Sequence, residues 1–323
     1  MVKAIRVHEV GGPEVLQLED IPLDPPGPGM VTVRNHAIGL NFIDTYHRSG
    51  LYPLPLPTGI GLEGAGVVEA VGDDAGLQVG DRVAYCAAGF GAYAEALNLP
   101  ASRLVPLPEN IDYETAAAVA LKGATTEYLI QRTYPLAAGE TCLFHAAAGG
   151  VGLIFGQWAR AIGARAIGTV GSAEKAELAL AHGYDAVINY REEDVVERLL
   201  EITGGEKVPV VYDGVGKDTF EASLDCLRPR GLMVSFGNAS GSPPPLELQV
   251  LSAKGSLFIT RPTLFSYVME TEELRQCLAD VFARVASGDI SVEINQRYAL
   301  SEARQAHIDL EGRKTTGSTL LLP

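Results

Sequence analysis

Over residues 1–105, apolar and polar positions alternate in short runs rich in β-branched side chains. These are KAIRVHEV (3–10), MVTVRNHAIGL (30–40), GAGVVEAVG (64–72), DRVAYC (81–86) and GAYAEALNL (91–99). Turn signals such as Gly11-Gly12-Pro13 and Pro25-Pro26-Gly27 bound them. The pattern predicts a compact antiparallel β domain, a partly open barrel. Near residue 112 the texture changes. DYETAAAVALKGATTEYLIQRTY (112–134) is alanine-rich and reads as helix, with an interruption at Gly123. From residue 140, strand runs (140–146, 165–170, 186–190, 208–216, 231–238) alternate with helical ones (150–164, 172–183, 192–205, 217–229). This alternation predicts a doubly wound parallel sheet, the Rossmann arrangement. ASGSPPPLEL (239–248) breaks it, and GSLFITRP (255–262) reads as a last strand. The remainder holds two amphipathic helices and a final strand, GSTLLLP (317–323), expected to return to the β domain. The fold class is therefore α/β, a doubly wound sheet beside a mainly β domain. The expected bounds are 1–122 for the β domain, 123–261 for the sheet domain and 262–323 for the returning part.

Composition narrows the picture. A chain of 323 residues, 47% hydrophobic and 20% charged, can bury two ordinary cores. A formal net charge of −15 argues against nucleic acid or an anionic membrane as the main partner, since both need basic surface. No apolar run approaches the ~20 residues that span a bilayer. Cys86, Cys142, Cys226 and Cys277 stand far apart with no CxxC, which suits buried thiols in a reducing cytoplasm.

One stretch carries chemistry. HAAAGGVG (145–152) follows an apolar strand and opens a helix, as a dinucleotide-binding turn must. Gly149 and Gly150, with Val151 after them, let backbone approach a pyrophosphate at a helix N-terminus, and Gly152 permits close helix–strand packing. Ala147 occupies the first-glycine position, so this turn has to tolerate a Cβ there. After the next strand the sequence reads TVGSAEK (169–175). The acid that accepts hydrogen bonds from an NAD ribose is missing. Ser172, Lys175 and Tyr190 stand there instead, and they suit a 2′-phosphate that a carboxylate would repel. The cofactor expected is NADPH.

The chain resembles, over its whole length, the medium-chain dehydrogenase/reductase superfamily. More narrowly it is similar to the zinc-independent, zeta-crystallin-like quinone oxidoreductases, bacterial members most closely. The motifs are AIGLNFIDTYHRSGLYP (37–53), GLEGAGVVEAVG (61–72), AAAGGVG (146–152), NYREED (189–194) and SFGN (235–238). The zinc-dependent relatives carry a ligand cysteine where this chain has Asn41, and a ligand histidine where it has Leu62. No metal is expected. The β domain would be GroES-like, and reaction would take place in a metal-free cleft between the domains.

The resemblance implies site residues. Asn41, Tyr46 and Tyr52 would line the nicotinamide and acceptor end as catalytic residues, Asn41 touching the cofactor as well. Thr126, Gly150, Val151, Val215, Phe236, Gly237, Phe258 and Arg313 would contact the cofactor. Ala148 departs from the serine many relatives carry, which leaves only backbone donors at that point. The expected activity is NADPH-dependent reduction of quinones, with reduction of the activated C=C bond of enones or alkenals as the alternative. A quinone is electron-poor and becomes aromatic on reduction, so it does not need the Lewis acid that stabilises an alkoxide. The resemblance also implies a homodimer joined edge to edge through the strand at 255–260.

Overall fold

The computed structural model describes residues 1–323. The backbone divides into two compact units: Met1–Ala124 with Tyr267–Gly288 and Val292–Pro323, and Thr125–Ser266 with Asp289–Ser291. No helix is long and apolar enough to cross a membrane.

In the first unit, β1 (Val2–Val7) pairs antiparallel with β2 (Gln17–Ile21). The long β3 (Met30–Leu40) leads through Asn41 into α1 (Phe42–Ser49), which stops at Gly50 in the left-handed conformation (φ 81°). After β4 (Thr58–Gly59) come β5 (Glu63–Val71), β6 (Arg82–Cys86), β7 (Ala96–Pro100) and β8 (Val105–Pro106). Their alternation buries Val31, Val33, Ile38, Leu40, Val68, Val83 and Tyr85 in one core. Each such side chain contributes roughly 1.5–3 kcal/mol. Gly66 lets β5 lie close on β3, because a Cβ there would be 2.0 Å from the Arg34 carbonyl oxygen. Then α2 (Tyr113–Glu127) begins, and its chain continues as a π-helical segment over Tyr128–Thr133.

The second unit is a six-stranded, all-parallel sheet. In chain order it comprises β9 (Thr141–His145), α3 (Gly150–Ala161), β10 (Arg165–Val170), α4 (Ala173–Ala181), β11 (Ala186–Asn189) and α5 (Val195–Thr203). There follow β12 (Val208–Asp213), α6 (Phe220–Asp225), β13 (Leu227–Ser235), α7 (Leu248–Ala253), β14 (Phe258–Thr260) and α8 (Leu264–Tyr267). The spatial order is β11-β10-β9-β12-β13-β14, the doubly wound order in which strand direction of growth reverses between the first and fourth strands. Ligands of such sheets bind beyond the carboxyl ends of the strands at that reversal, here between β9 and β12.

The chain then returns to the first unit through α9 (Thr271–Ser287), β15 (Ile294–Ala299), α10 (Ala303–Glu311) and β16 (Ser318–Leu322). β16 pairs antiparallel with β3 and parallel with β15, completing a seven-stranded sheet.

Three local expectations change. The helix over 112–134 is not interrupted at Gly123, which lies inside α2. A Cβ at Gly123 would sit 2.5 Å from Cγ1 of Val281 on α9, so glycine serves close helix packing rather than a break. The helix expected over 217–229 shrinks to α6, because Pro229 disfavours helical backbone before it and β13 already starts at Leu227. β15 was not anticipated: it is a parallel strand whose alternating burial is diluted by Asn295, Gln296 and Arg297.

One buried cation ties the returning segment to the first. Arg48, on α1 and nearly inaccessible, donates twice to the Glu311 carboxylate (2.9 and 2.8 Å) and through Nε to the Gly11 carbonyl (3.1 Å). Its Nη1 also faces His307 Nδ1 at 3.1 Å. Arg48→Met is expected to cost about 3–5 kcal/mol, because it leaves those acceptors without their buried donor. Urea denaturation should show the midpoint fall with the slope unchanged; an unmoved midpoint would mean water replaces the guanidinium at no cost.

Candidate active site

The turn after β9 is built by close backbone contacts. Ala146 adopts a left-handed backbone (φ 61°), and the Ala147 N–H donates to the Thr169 carbonyl on β10 (3.0 Å). The methyl of Ala147 fits because its neighbour is Gly168, where a Cβ would lie only 2.6 Å from it. Gly152 has no such freedom: a Cβ there would be 2.5 Å from the carbonyl oxygens of both Ala146 and Ala147. Gly149 is the N-cap of α3, and Gly150 and Val151 are its first two residues. No acidic side chain stands in that first turn. Partial positive charge and N–H groups therefore face the strand ends, as a bound anion requires.

At the end of β10 the chain passes through Gly171 to Ser172, the N-cap of α4, whose Oγ accepts from the Lys175 N–H (3.3 Å). A Cβ at Gly171 would meet the Tyr190 hydroxyl at 2.6 Å and Arg191 Nε at 3.5 Å. The Tyr190 hydroxyl and Arg191 thus lie against Gly171 beside Ser172, and the half-buried Lys175 follows on the first turn of α4. Arg191 was not anticipated, although it lies within NYREED; its signal was a second base beside Tyr190. The Glu193 carboxylate is turned to the Asn189 N–H (2.9 Å) and to Arg198 (3.0 Å).

Beyond β12 and β13, the residues Val215, Phe236 and Gly237 come together. The Phe236 ring lies over Gly214, with Cζ 2.9 Å from where a Cβ would be, and packs on Phe144 at 5.7 Å between centroids. Gly237 faces the Gly214 carbonyl so closely that a Cβ would be 2.3 Å from its oxygen. Thr126 is fully buried near the end of α2. Phe258 stands apart from this group, on edge strand β14 opposite Leu232 and 61% exposed. Arg313 belongs to the first unit, exposed in a left-handed turn (φ 58°).

In the first unit, Asn41 is buried as the N-cap of α1. Its Nδ2 donates to Glu63 Oε2 (2.8 Å), a carboxylate with no solvent exposure that also accepts from the Leu121 N–H (2.5 Å) and Lys122 Nζ (3.3 Å). Neither Glu63 nor Lys122 was assigned a role from sequence, although GLEG was recognised. The Asn41 backbone N–H donates to Oδ2 of Asp44 (2.9 Å), which also accepts from the Tyr93 hydroxyl (2.8 Å). Oδ1 of Asp44 has no partner. Burial pushes the Asp44 carboxyl up to about 7, against the opposing pull of those two donors. Tyr46 and Tyr52 meet edge to face at 5.1 Å, and the Tyr52 N–H donates to the Tyr46 carbonyl (3.1 Å). His47 extends the aromatic run to Phe90 (4.9 Å), and burial lowers its imidazole to about 4.

Residues 27–109 match the GroES-like domain of alcohol dehydrogenases, and residues 150–284 match the zinc-binding dehydrogenase family. A quinone oxidoreductase of Pseudomonas aeruginosa is 58% identical over 325 residues, covering 100% of both chains. A crystal structure of Escherichia coli quinone oxidoreductase complexed with NADPH superimposes with a TM-score of 0.98 at 53% identity, covering 99% of this chain and 100% of that one. A 2-haloacrylate reductase of a Burkholderia species is 44% identical, over 100% of this chain and 99% of its own. The chain belongs to the quinone oxidoreductase family.

At the two positions where zinc-dependent relatives carry ligands, this quinone oxidoreductase family member has the Asn41 amide engaged by Glu63, and Leu62 buried in the apolar core. Neither side chain is a thiolate or imidazole, and no three His, Cys, Asp or Glu residues converge as ligands.

The buried Asp44 makes a pH prediction. Its carboxyl titrates higher in the folded state than in the unfolded one, so its contribution to stability is complete below about pH 4 and is lost as pH rises toward about 7. Asp44→Asn removes that loss. The variant's stability relative to the parent should climb between about pH 4 and about pH 7 and then level. Denaturation midpoints across that range would show it, and parallel curves would refute it.

Proposed function

We propose that this protein is an NADPH-dependent quinone reductase. The observation that carries the reading is the end of β10, where Tyr190 and Arg191 lie against Gly171 beside Ser172, with Lys175 on the following helical turn, and the nearby Glu193 is committed elsewhere. That donor set fits a 2′-phosphate and would lack the carboxylate a free ribose hydroxyl prefers. The cradle fits too, since at Gly152 and Gly171 a Cβ would crowd the turns that bound it. NADPH, when bound, supplies the hydride.

The chain's own residues bind and orient. Backbone N–H groups of Gly150 and Val151 hold the pyrophosphate, which Gly149, its own N–H donated to the Ala146 carbonyl, lets come close; Ser172, Lys175, Tyr190 and Arg191 hold the 2′-phosphate. Val215, Phe236 and Gly237 support the nicotinamide side, and Thr126 and Arg313 are assigned cofactor contacts; Phe258, apart from them on β14, is not. Asn41, with its Nδ2 held by Glu63 and the Gly39 carbonyl, orients the nicotinamide through its Oδ1 acceptor. Tyr46 and Tyr52 offer flat apolar faces and hydroxyl donors to a planar acceptor. Positioning and exclusion of water are what the protein has to add. Two copies join through the edge strand β14, and the enzyme works in the cytoplasm, where its four cysteines stay buried thiols.

The similarity to a 2-haloacrylate reductase favours one second reading, reduction of an activated C=C bond. Following NADPH absorbance with 1,4-benzoquinone, a larger naphthoquinone and an alkenal separates them. Fast loss with quinones alone is expected; preference for the alkenal would move the enzyme to the second reading, and no loss with any acceptor would overturn both. Arg191→Ala is expected to weaken NADPH about tenfold and leave NADH unchanged. Equal weakening of both nucleotides in titrations would remove Arg191 from the phosphate site.

A further inference from the structure

The second unit contains a buried polar chain that the reading above does not use. It comprises Thr169 on β10, His145 on β9, Ser223 on α6 and Asp213 on β12, all at most 1% exposed. Asp213 can only accept. Its Oδ1 takes the N–H groups of Val215 (2.8 Å) and Gly216 (2.9 Å), and the Thr219 hydroxyl lies within 2.9 Å. Its Oδ2 accepts from the Ser223 hydroxyl (2.7 Å). The single Ser223 proton is thereby committed, so its oxygen accepts from His145 Nε2 (3.0 Å). His145 Nδ1 is then the lone-pair nitrogen and accepts from the Thr169 hydroxyl (2.9 Å). Every bond points one way, from β10 to β12. Burial holds the imidazole neutral, as the chain requires, because a protonated ring could not accept from Thr169.

The ends of this chain are the turns of the nucleotide site. His145 is the last residue of β9, directly before the Ala146–Gly149 turn. Thr169 precedes Gly171 and Ser172, and its carbonyl holds the Ala147 N–H. Asp213 ends β12 and organises the turn that carries Val215. An apolar core of the same volume would stabilise the sheet as well, so four buried polar groups need a return other than stability.

We propose that Thr169, His145, Ser223 and Asp213 are positioning residues that set the turns after β9, β10 and β12 as one unit, so that the phosphate side and the nicotinamide side of the NADPH site are fixed together. The inference rests on the reading above. Its distinctive consequence is action across the sheet: Ser223, on α6, governs discrimination at the 2′-phosphate spot beyond β10.

The test titrates the full-length protein with NADPH and NADH, following nicotinamide fluorescence, for the parent, Ser223→Ala, Thr169→Val, the double variant and Thr169→Ser. Each hydroxyl deletion is expected to raise the NADPH Kd about five- to tenfold and to narrow the preference over NADH. The double variant should be no weaker than the poorer single one, because either deletion breaks the same chain. Thr169→Ser keeps the hydroxyl and should bind as the parent does. KM for quinone at saturating NADPH should not move. An unchanged NADPH Kd alongside a lowered Tm, or effects that add in the double variant, would overturn the inference and leave only a core-filling role. If Ser223→Ala does not fold, Ser223→Cys, which keeps the volume and weakens both hydrogen bonds, takes its place in the comparison. A parent protein that binds no NADPH would overturn the function itself, which the variant comparison cannot mimic.

Discussion

The nucleotide-binding unit depends on how closely helix α3 approaches the end of β9. The approach is set by the contact of Gly152 with the carbonyl oxygens of Ala146 and Ala147, where a methyl group has no room. Backbone oxygens cannot turn aside as a side chain can, so the residue there must be glycine. Once the helix is seated, its first N–H groups and its dipole face the reversal point of the sheet, where an anion gains most. The same economy of space recurs at Gly168, Gly171 and Gly237. Each lets a neighbour occupy the volume of a missing Cβ: the Ala147 methyl, the Tyr190 hydroxyl and the Gly214 carbonyl.

The first unit solves a different problem, that of holding charge without water. Glu63 lies wholly inside, and its cost is met by three donors: the Asn41 amide at the start of α1 and, from consecutive residues of α2, the Leu121 N–H and the Lys122 ammonium. The arrangement gives Asn41 a defined orientation, since its Nδ2 must point at the carboxylate. Asp44, three residues on, is less well provided, with one oxygen unpartnered and a carboxyl that burial renders hard to ionise. The polar chain under the nucleotide turns follows the first pattern rather than the second, with every member satisfied. Satisfied buried networks fix geometry, and that suits a hydride transfer sensitive to small displacements.

Much of this architecture was legible in the residues themselves. Period-two runs, the alternation of strand and helix after residue 140, the turn at 145–152 and the missing acid after TVGS are local signals, and local signals survive in a linear string. The order and parallel pairing of β9 to β14 follow from them with few alternatives, because short right-handed crossovers leave little choice. Gly123 was misread because a glycine in a helix means a break from local propensity, and only the Val281 side chain opposite it shows a packing contact. The helix at 217–229 was drawn too long because the pairing of Leu227 with Val208, like Pro229, ends α6 early, and β15 was missed because its polar residues hide a strand that only pairing with β16 reveals.

The sequence by itself determined the fold class, the family and the type of cofactor, since each rests on residue types at fixed spacing along one or two elements. Only the tertiary structure decided which side chains act together. Glu63 and Lys122 lie 59 residues apart, and His145 and Ser223 lie 78 apart, so no spacing rule links them. Their partnership comes from desolvation: a buried polar group must find whatever donor or acceptor the packed chain brings within reach.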